Sequence, residues 1–326
     1  MLVCAGLGSS PFSFANAGLE GAARWGGKIA LITGLSWILP AVAGILAVVV
    51  LGWFPDVPIE VRLAVLIVSA MPIANSTAGW ANQLGANISL SLAVLMAATM
   101  LSPLITAPLI KASTFASGLQ RDGVDALPAW GNDMSTFFAL WVLVPIVLGV
   151  LLANLLPHGR LAKVRPWASQ ISLLMLLALN YVNGTVCLPG LVQQPGEFVQ
   201  PLVAAVVLLG SIVVLFALFK RIHRIYKHAP QQPAALIASS TAPLVPTNSV
   251  PANSTTEQTV TQKDDLTLLL AVVMRNTGAA MVYTSTALVS VPLVSLVVVF
   301  YTLMQHLLIG VIITWPRTRT TVEKAA

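Results

Sequence analysis

Two polar runs, Asn75-Ser76-Thr77 and Arg275-Asn276-Thr277, interrupt stretches that are otherwise apolar, and His306 stands in a third such stretch. Arginine brings a permanent cation and five N–H donors in a planar fork, with no acceptor. Asparagine amides and threonine hydroxyls add short-range donors and acceptors beside it. A set of this kind recognises a small anion, such as a carboxylate or a sulfonate. Acid–base or nucleophilic catalysis would need a carboxylate, a cysteine cluster or a His-rich metal pattern beside these groups, and the apolar stretches supply none. Structural roles are the alternative. Arg275 could tie neighbouring helices together, His306 could be a hydrogen-bonded packing histidine, and Asn75 and Asn276 could cap breaks in helices.

These residues need elements that hold them. Leu266–Thr286 reads LTLLLAVVMRNTGAAMVYTST, which as a helix spans about 30 Å, the thickness of a bilayer's hydrocarbon core. An arginine at that depth costs at least about 2.5–3.5 kcal/mol on insertion scales, so it faces a polar interior. Gly278 weakens the helix beside it. Val61–Ala86 repeats the pattern: it opens apolar and reaches Pro72, which donates no amide hydrogen bond and clashes with the preceding turn. Asn75, Ser76 and Thr77 can satisfy the backbone groups freed there. Two interrupted spans, one in each half of the chain, point to an inverted-repeat transporter with its site near the midplane.

Composition agrees. The 326 residues are 57% hydrophobic and 9% charged, with a mean hydropathy of +0.87, whereas a soluble domain is about 25% charged. The class is an all-α polytopic membrane protein, and the net charge of +6 marks loops rather than a nucleic-acid partner. Cys4 and Cys187 make neither a disulfide framework nor a metal cluster. Full spans are predicted at Lys28–Val50, Val61–Ala86, Ile88–Ile110, Met134–Leu156, Ala168–Leu188, Gln200–Leu218, Leu266–Thr286 and Val291–Trp315, with a kink at Pro40. The opening MLVCAGLGSSPFSFANAGL lacks the basic region of a signal peptide and reads as the tail of a helix that begins upstream.

The chain therefore divides into 1–112 (a partial helix and three spans), an external loop 113–133, three spans over 134–227, a loop 228–263, two spans over 264–316 and a tail 317–326. His228–Lys263 is rich in Pro, Ser, Thr, Ala and Gln and reads as disordered. Successive spans place Arg24, Lys28, Arg160, Lys163, Arg165, Lys220, Arg221, Arg224, Lys227, Arg317, Arg319 and Lys324 on one side. Asp56, Glu60, Asp122, Asp125, Asp133 and Glu197 fall on the other. The basic side, with the C-terminus, is predicted to be cytoplasmic.

Asn87-Ile88-Ser89-Leu90-Ser91-Leu92-Ala93 through Leu101-Ser102-Pro103-Leu104-Ile105-Thr106, Val144-Pro145-Ile146-Val147-Leu148-Gly149, Met274-Arg275-Asn276-Thr277-Gly278 and His306 follow one another in a familiar order and spacing. In these stretches the chain resembles a bacterial-type member of the bile acid/sodium symporter family, over nearly its whole length apart from 228–263. The resemblance implies ten helices in two inverted five-helix repeats, with two broken helices crossing in a core domain beside a panel domain. Against that plan the first family helix is missing and the second is cut, so a natural product longer at its N-terminus is expected. The resemblance also implies that Asn276 and His306 face the cavity between core and panel, and that Asn75 sits where the family has a threonine beside the bound ligand. The Asn that follows the family's histidine is Leu307 here.

The positions that hold sodium in the family are changed. Its glutamate falls on Ala271, the Gln after its Met on Arg275, and its Ser-Asn pair on Thr77 and Ala78. A threonine falls on Leu95, although its neighbouring serine is kept as Ser91, and the Gln of the third family helix falls on Leu35. A fixed guanidinium then replaces the mobile cation, its donors met by backbone carbonyls, by Asn or Ser oxygens, or by an anionic substrate. The expected function is a secondary membrane transporter that moves a small organic anion by alternating access and is not sodium-coupled. Its substrate residues are expected to be Asn75, Ser76, Thr77, Arg275, Asn276, Thr277 and His306. No cofactor and no metal are expected, and the partners are the lipid bilayer of a bacterial inner or plasma membrane and the anion. Histidine is the side chain that titrates near neutrality, which adds proton coupling through His306 to the expectations. The rival reading is a non-transporting paralogue that acts as a membrane receptor.

Overall fold

Proline and polar residues set where these helices stop, and apolar runs set how long they last. The structure is a computed structural model that describes residues 19–119, 144–155, 195–228, 254–288 and 292–325, with single positions between 136 and 185. Among them the named elements are all helical: α1 Leu19–Gly52, α2 Ile59–Ala70, α3 Thr77–Leu84, α4 Ile88–Ala116, α5 Val144–Leu155, α6 Val199–His228, α7 Ser254–Val273, α8 Thr277–Ala287 and α9 Pro292–Ala325, with a 3-10 turn at Pro195–Phe198. By length and composition, α1, α4, α6 and α9 can each cross a bilayer. The two predicted interrupted spans are each two helices: α2 and α3 part around Pro72, and α7 and α8 around Arg275.

The long helices surround the short ones. α1 packs against α2, α4 and α6, and α9 packs against α6, α2 and α8, so the breaks lie inside the bundle. The core that encloses them includes Leu66, Ile67, Val68, Met71, Leu208, Val297, Val298 and Tyr301, all buried. Gly44 lets α1 approach α2 closely, because a Cβ there would lie 2.7 Å from Ser69 Cβ. The outer faces are apolar: Leu31, Ile38, Val42, Leu46 and Val49 on α1 recur every three to seven residues and are exposed, the pattern of a surface solvated by lipid tails.

Polar contacts close the bundle at both ends. At one end Lys28 Nζ bonds Asp264 Oδ2 at 2.8 Å, Asn87 Nδ2 bonds Asp264 Oδ1 at 3.0 Å, and Lys220 pairs with Asp265. At the other, Gln200 Nε2 donates to the Asp56 carbonyl at 3.0 Å.

Two boundaries differ from expectation. Residues 254–263, assigned to the disordered loop, form the first turns of α7. The last proline of that loop is Pro251; beyond it Glu257, Gln258 and Lys263 favour helix, and extending an existing helix needs no new nucleus. Likewise α9 runs through the predicted tail to Ala325. The opening stretch 1–18, most of the external loop, the span Ala168–Leu188 apart from single positions, and 229–253 lie outside the described residues.

Candidate functional site

Each helix break leaves carbonyl oxygens with no donor four residues on, and in an apolar interior each needs a partner. Here the two breaks partner each other. Ala74 N donates to the Met274 carbonyl at 2.9 Å, and Asn276 N donates to the Pro72 carbonyl at 2.8 Å. These two bonds make a one-residue antiparallel bridge between Ile73 and Arg275. The broken helices therefore cross at their breaks and are joined there by backbone.

Arg275 satisfies what the bridge leaves over. It is completely buried. Its Nη2 donates to the Met71 carbonyl, at the end of α2. Its Nη1 donates to the Ala271 carbonyl at 3.3 Å, in the last turn of α7, and to the Ser36 carbonyl of α1 at 2.7 Å. Ser36 is available for a specific reason: the residue four places on is Pro40, which has no N–H to give it. One guanidinium thus ties three helices by collecting the carbonyls that two helix ends and one proline have orphaned. The ring of Trp37 lies 5.8 Å from the guanidinium carbon, within cation–π range. Every partner the guanidinium has among the described residues is a neutral oxygen or a ring, and of its three nitrogens Nε alone has no hydrogen bond to them.

Gln305 and Tyr301 of α9 complete the second break. Gln305, buried, accepts from Arg275 N through Oε1 at 3.0 Å, and its Nε2 lies 3.5 Å from both the Arg275 carbonyl and Thr277 Oγ1. The side-chain amide takes the place of the helical partner that Arg275 N gives up. Tyr301 Oη donates to the Val273 carbonyl at 2.9 Å.

The other predicted residues stand around this crossing. Asn276 is the N-cap of α8, its side chain accepting from Ala279 N at 3.0 Å. Thr77 opens α3, and half-buried Asn75 precedes it; among the described residues neither the buried Thr77 hydroxyl nor the buried Asn75 Nδ2 has a partner. Ser76 supplies the carbonyl that accepts from Trp80 N at 3.1 Å. His306 lies one residue past Gln305. Its Nδ1 is 2.6 Å from the Thr302 carbonyl, which can only accept, so Nδ1 carries the proton and Nε2 is the free end. The His306 ring sits 6.0 Å from that of Trp80, joining α9 to α3. Of the changed sodium positions, Ala271 contributes its carbonyl to Arg275, and Leu35 precedes Ser36, which does the same. Leu95 is buried on α4, Ser91 Oγ is buried with no partner among the described residues, and Ala78 is half-buried in α3.

Sequence reasoning missed Ser36, Met71, Trp37, Tyr301 and Gln305. Two of these carried a signal: Ser36 is the carbonyl that Pro40 frees, and Gln305 is a polar side chain within an apolar span.

The fold and the crossing define an all-α, multi-pass integral membrane protein built around two broken helices. A model of the sodium bile acid symporter family matches residues 22–188. The chain belongs to that family, whose members are membrane transporters rather than enzymes. The match contains the first break and ends before the second, where Arg275 lies. No curated protein matches the chain.

Proposed function

We propose that this transporter is a secondary carrier of a small organic anion, working by alternating access between two inverted repeats and without sodium. The observation that carries the proposal is the place of Arg275. Helix C-termini carry roughly half a negative charge each, and α2 and α7 both end at the crossing, where Arg275 meets their carbonyls. Two such ends sum to roughly one negative charge, which a single guanidinium balances. A crossing neutralised from within has no need of a mobile cation.

The opposite polarity serves the substrate. α3 and α8 begin at the same breaks, and their N-termini carry roughly half a positive charge each. Asn75, Ser76, Thr77, Asn276 and Thr277 stand at those ends, with Nε2 of His306 on the adjoining helix. An anion drawn there would meet the donors of Asn75 and Thr77 that have no partner among the described residues. Arg275 is buried and spent on carbonyls, so it would serve the anion by cancelling the negative helix ends beside the site rather than through a direct bond.

Uptake by the purified protein in liposomes, screened against a panel of carboxylates and sulfonates in sodium, potassium and choline buffers, tests the proposal. Equal uptake in the three buffers is expected, and Arg275→Gln is expected to lower uptake without creating a sodium requirement, because position 271 has no carboxylate. Uptake that depends on sodium would overturn the coupling scheme. Saturable binding with no uptake would favour the receptor reading.

A further inference from the structure

α6 changes character along its length. From Val199 to Phe219 this helix is apolar apart from Gln200 and Ser211; at 1.5 Å per residue that run is about 31 Å long, matching a hydrocarbon core of about 30 Å. Lys220 therefore falls at the edge of the hydrocarbon, and Arg221 and Arg224 fall about 2–7 Å beyond it, in the layer of the lipid phosphates. The helix does not stop at the edge: α6 continues to His228 and holds both arginines on rigid backbone.

The two arginines are chemically available. Lys28 and Lys220 at this end are taken by Asp264 and Asp265. Arg221 and Arg224 are exposed and make no ion pair among the described residues. Spaced three apart, they lie about 5–6 Å from each other on one helix face, close enough for both forks to reach one phosphate. The adjoining surface toward the hydrocarbon is apolar, with Val214 and Leu218 about half exposed, so a molecule bound there meets two cations above and a greasy flank below. His223 lies against the Phe219 ring, with centroids 6.2 Å apart and planes within 13°, and adds no negative charge.

We propose that Arg221 and Arg224 form a binding site for the phosphate of an anionic phospholipid, with its acyl chain along Val214 and Leu218. Complementing the C-terminal dipole of α6 would also place bases here, but that role does not choose among lipids, and selectivity for a headgroup is what separates the two.

The test uses the full chain in mild detergent, titrated with phosphatidylglycerol or phosphatidylcholine of identical acyl chains, with retained lipid counted by native mass spectrometry. Two bases at the phosphate layer should favour the anionic lipid about thirty-fold. The double variant R221Q/R224Q should lose most of that preference, while K111Q, an exposed base on another helix, should keep it. Both sites are on the surface, so the variants should fold, and a preference in wild-type protein that weakens as salt rises provides an independent check. Equal retention of the two lipids would overturn the proposal, as would a preference that survives the double substitution. Inorganic phosphate that abolishes the preference where chloride of equal ionic strength does not would assign the site to free phosphate and overturn the lipid.

Discussion

Arg275→Met tests the crossing most directly. Methionine has similar length and no donors, so the substitution leaves the carbonyls of Ser36, Met71 and Ala271 buried without the guanidinium. An orphaned buried polar group costs about 1–3 kcal/mol. The lower figure applies here because removing the charge also recovers part of its desolvation cost, which gives about 3 kcal/mol for the three carbonyls together. The two half-helix ends then face each other unscreened: half charges about 6 Å apart repel by about 0.7 kcal/mol at an effective dielectric of 20. For a chain of this size about 3–4 kcal/mol lowers the apparent Tm by about 6 °C. Intrinsic fluorescence on heating the detergent-solubilised protein reads this out. Arg275→Lys, which keeps the charge but loses the fork, should fall between the two. A methionine variant that melts within about 1 °C of wild type would refute the reasoning, because the three carbonyls would then have found other donors. A lysine variant as unstable as the methionine variant would remove charge from the account.

Gln305→Leu takes the acceptor from Arg275 N and should cost about 1–3 kcal/mol, seen as a lower apparent Tm; no change would mean that the second break is held without α9. Gly44→Val drives a side chain into Ser69 and should cost about 1–3 kcal/mol, with partial recovery in G44V/S69G as the check that the clash is the cause. In a background without Cys4 and Cys187, S240C should label only from the cytoplasmic side and D125C only from outside; labelling of S240C in intact cells would reverse the orientation argued from the basic loops.

The membrane class and the two breaks were legible in the sequence because both rest on local rules. Apolar length sets a span, and Pro72 and the run Arg275-Asn276-Thr277-Gly278 each disturb a helix whatever surrounds them. The full residue set around the crossing was not legible, because hydrogen-bond partners there are far apart in the chain: Arg275 Nη1 and the Ser36 carbonyl are separated by 239 residues, and Arg275 N and Gln305 by 30. A sequence states that Arg275 must have acceptors; it does not say whether they are a substrate's oxygens or the protein's own. Tertiary structure decided that, by bringing the carbonyl freed by Pro40 and the ends of α2 and α7 to one point. The start of α7 at Ser254 also escaped composition, since polar residues ahead of a packed helix extend it at little cost. What the sequence alone determined was therefore where the backbone must lose its regular partners, because that follows from residue type. Which groups replace those partners was decided only by packing, because backbone carbonyls are alike in every residue and only their positions in space distinguish them.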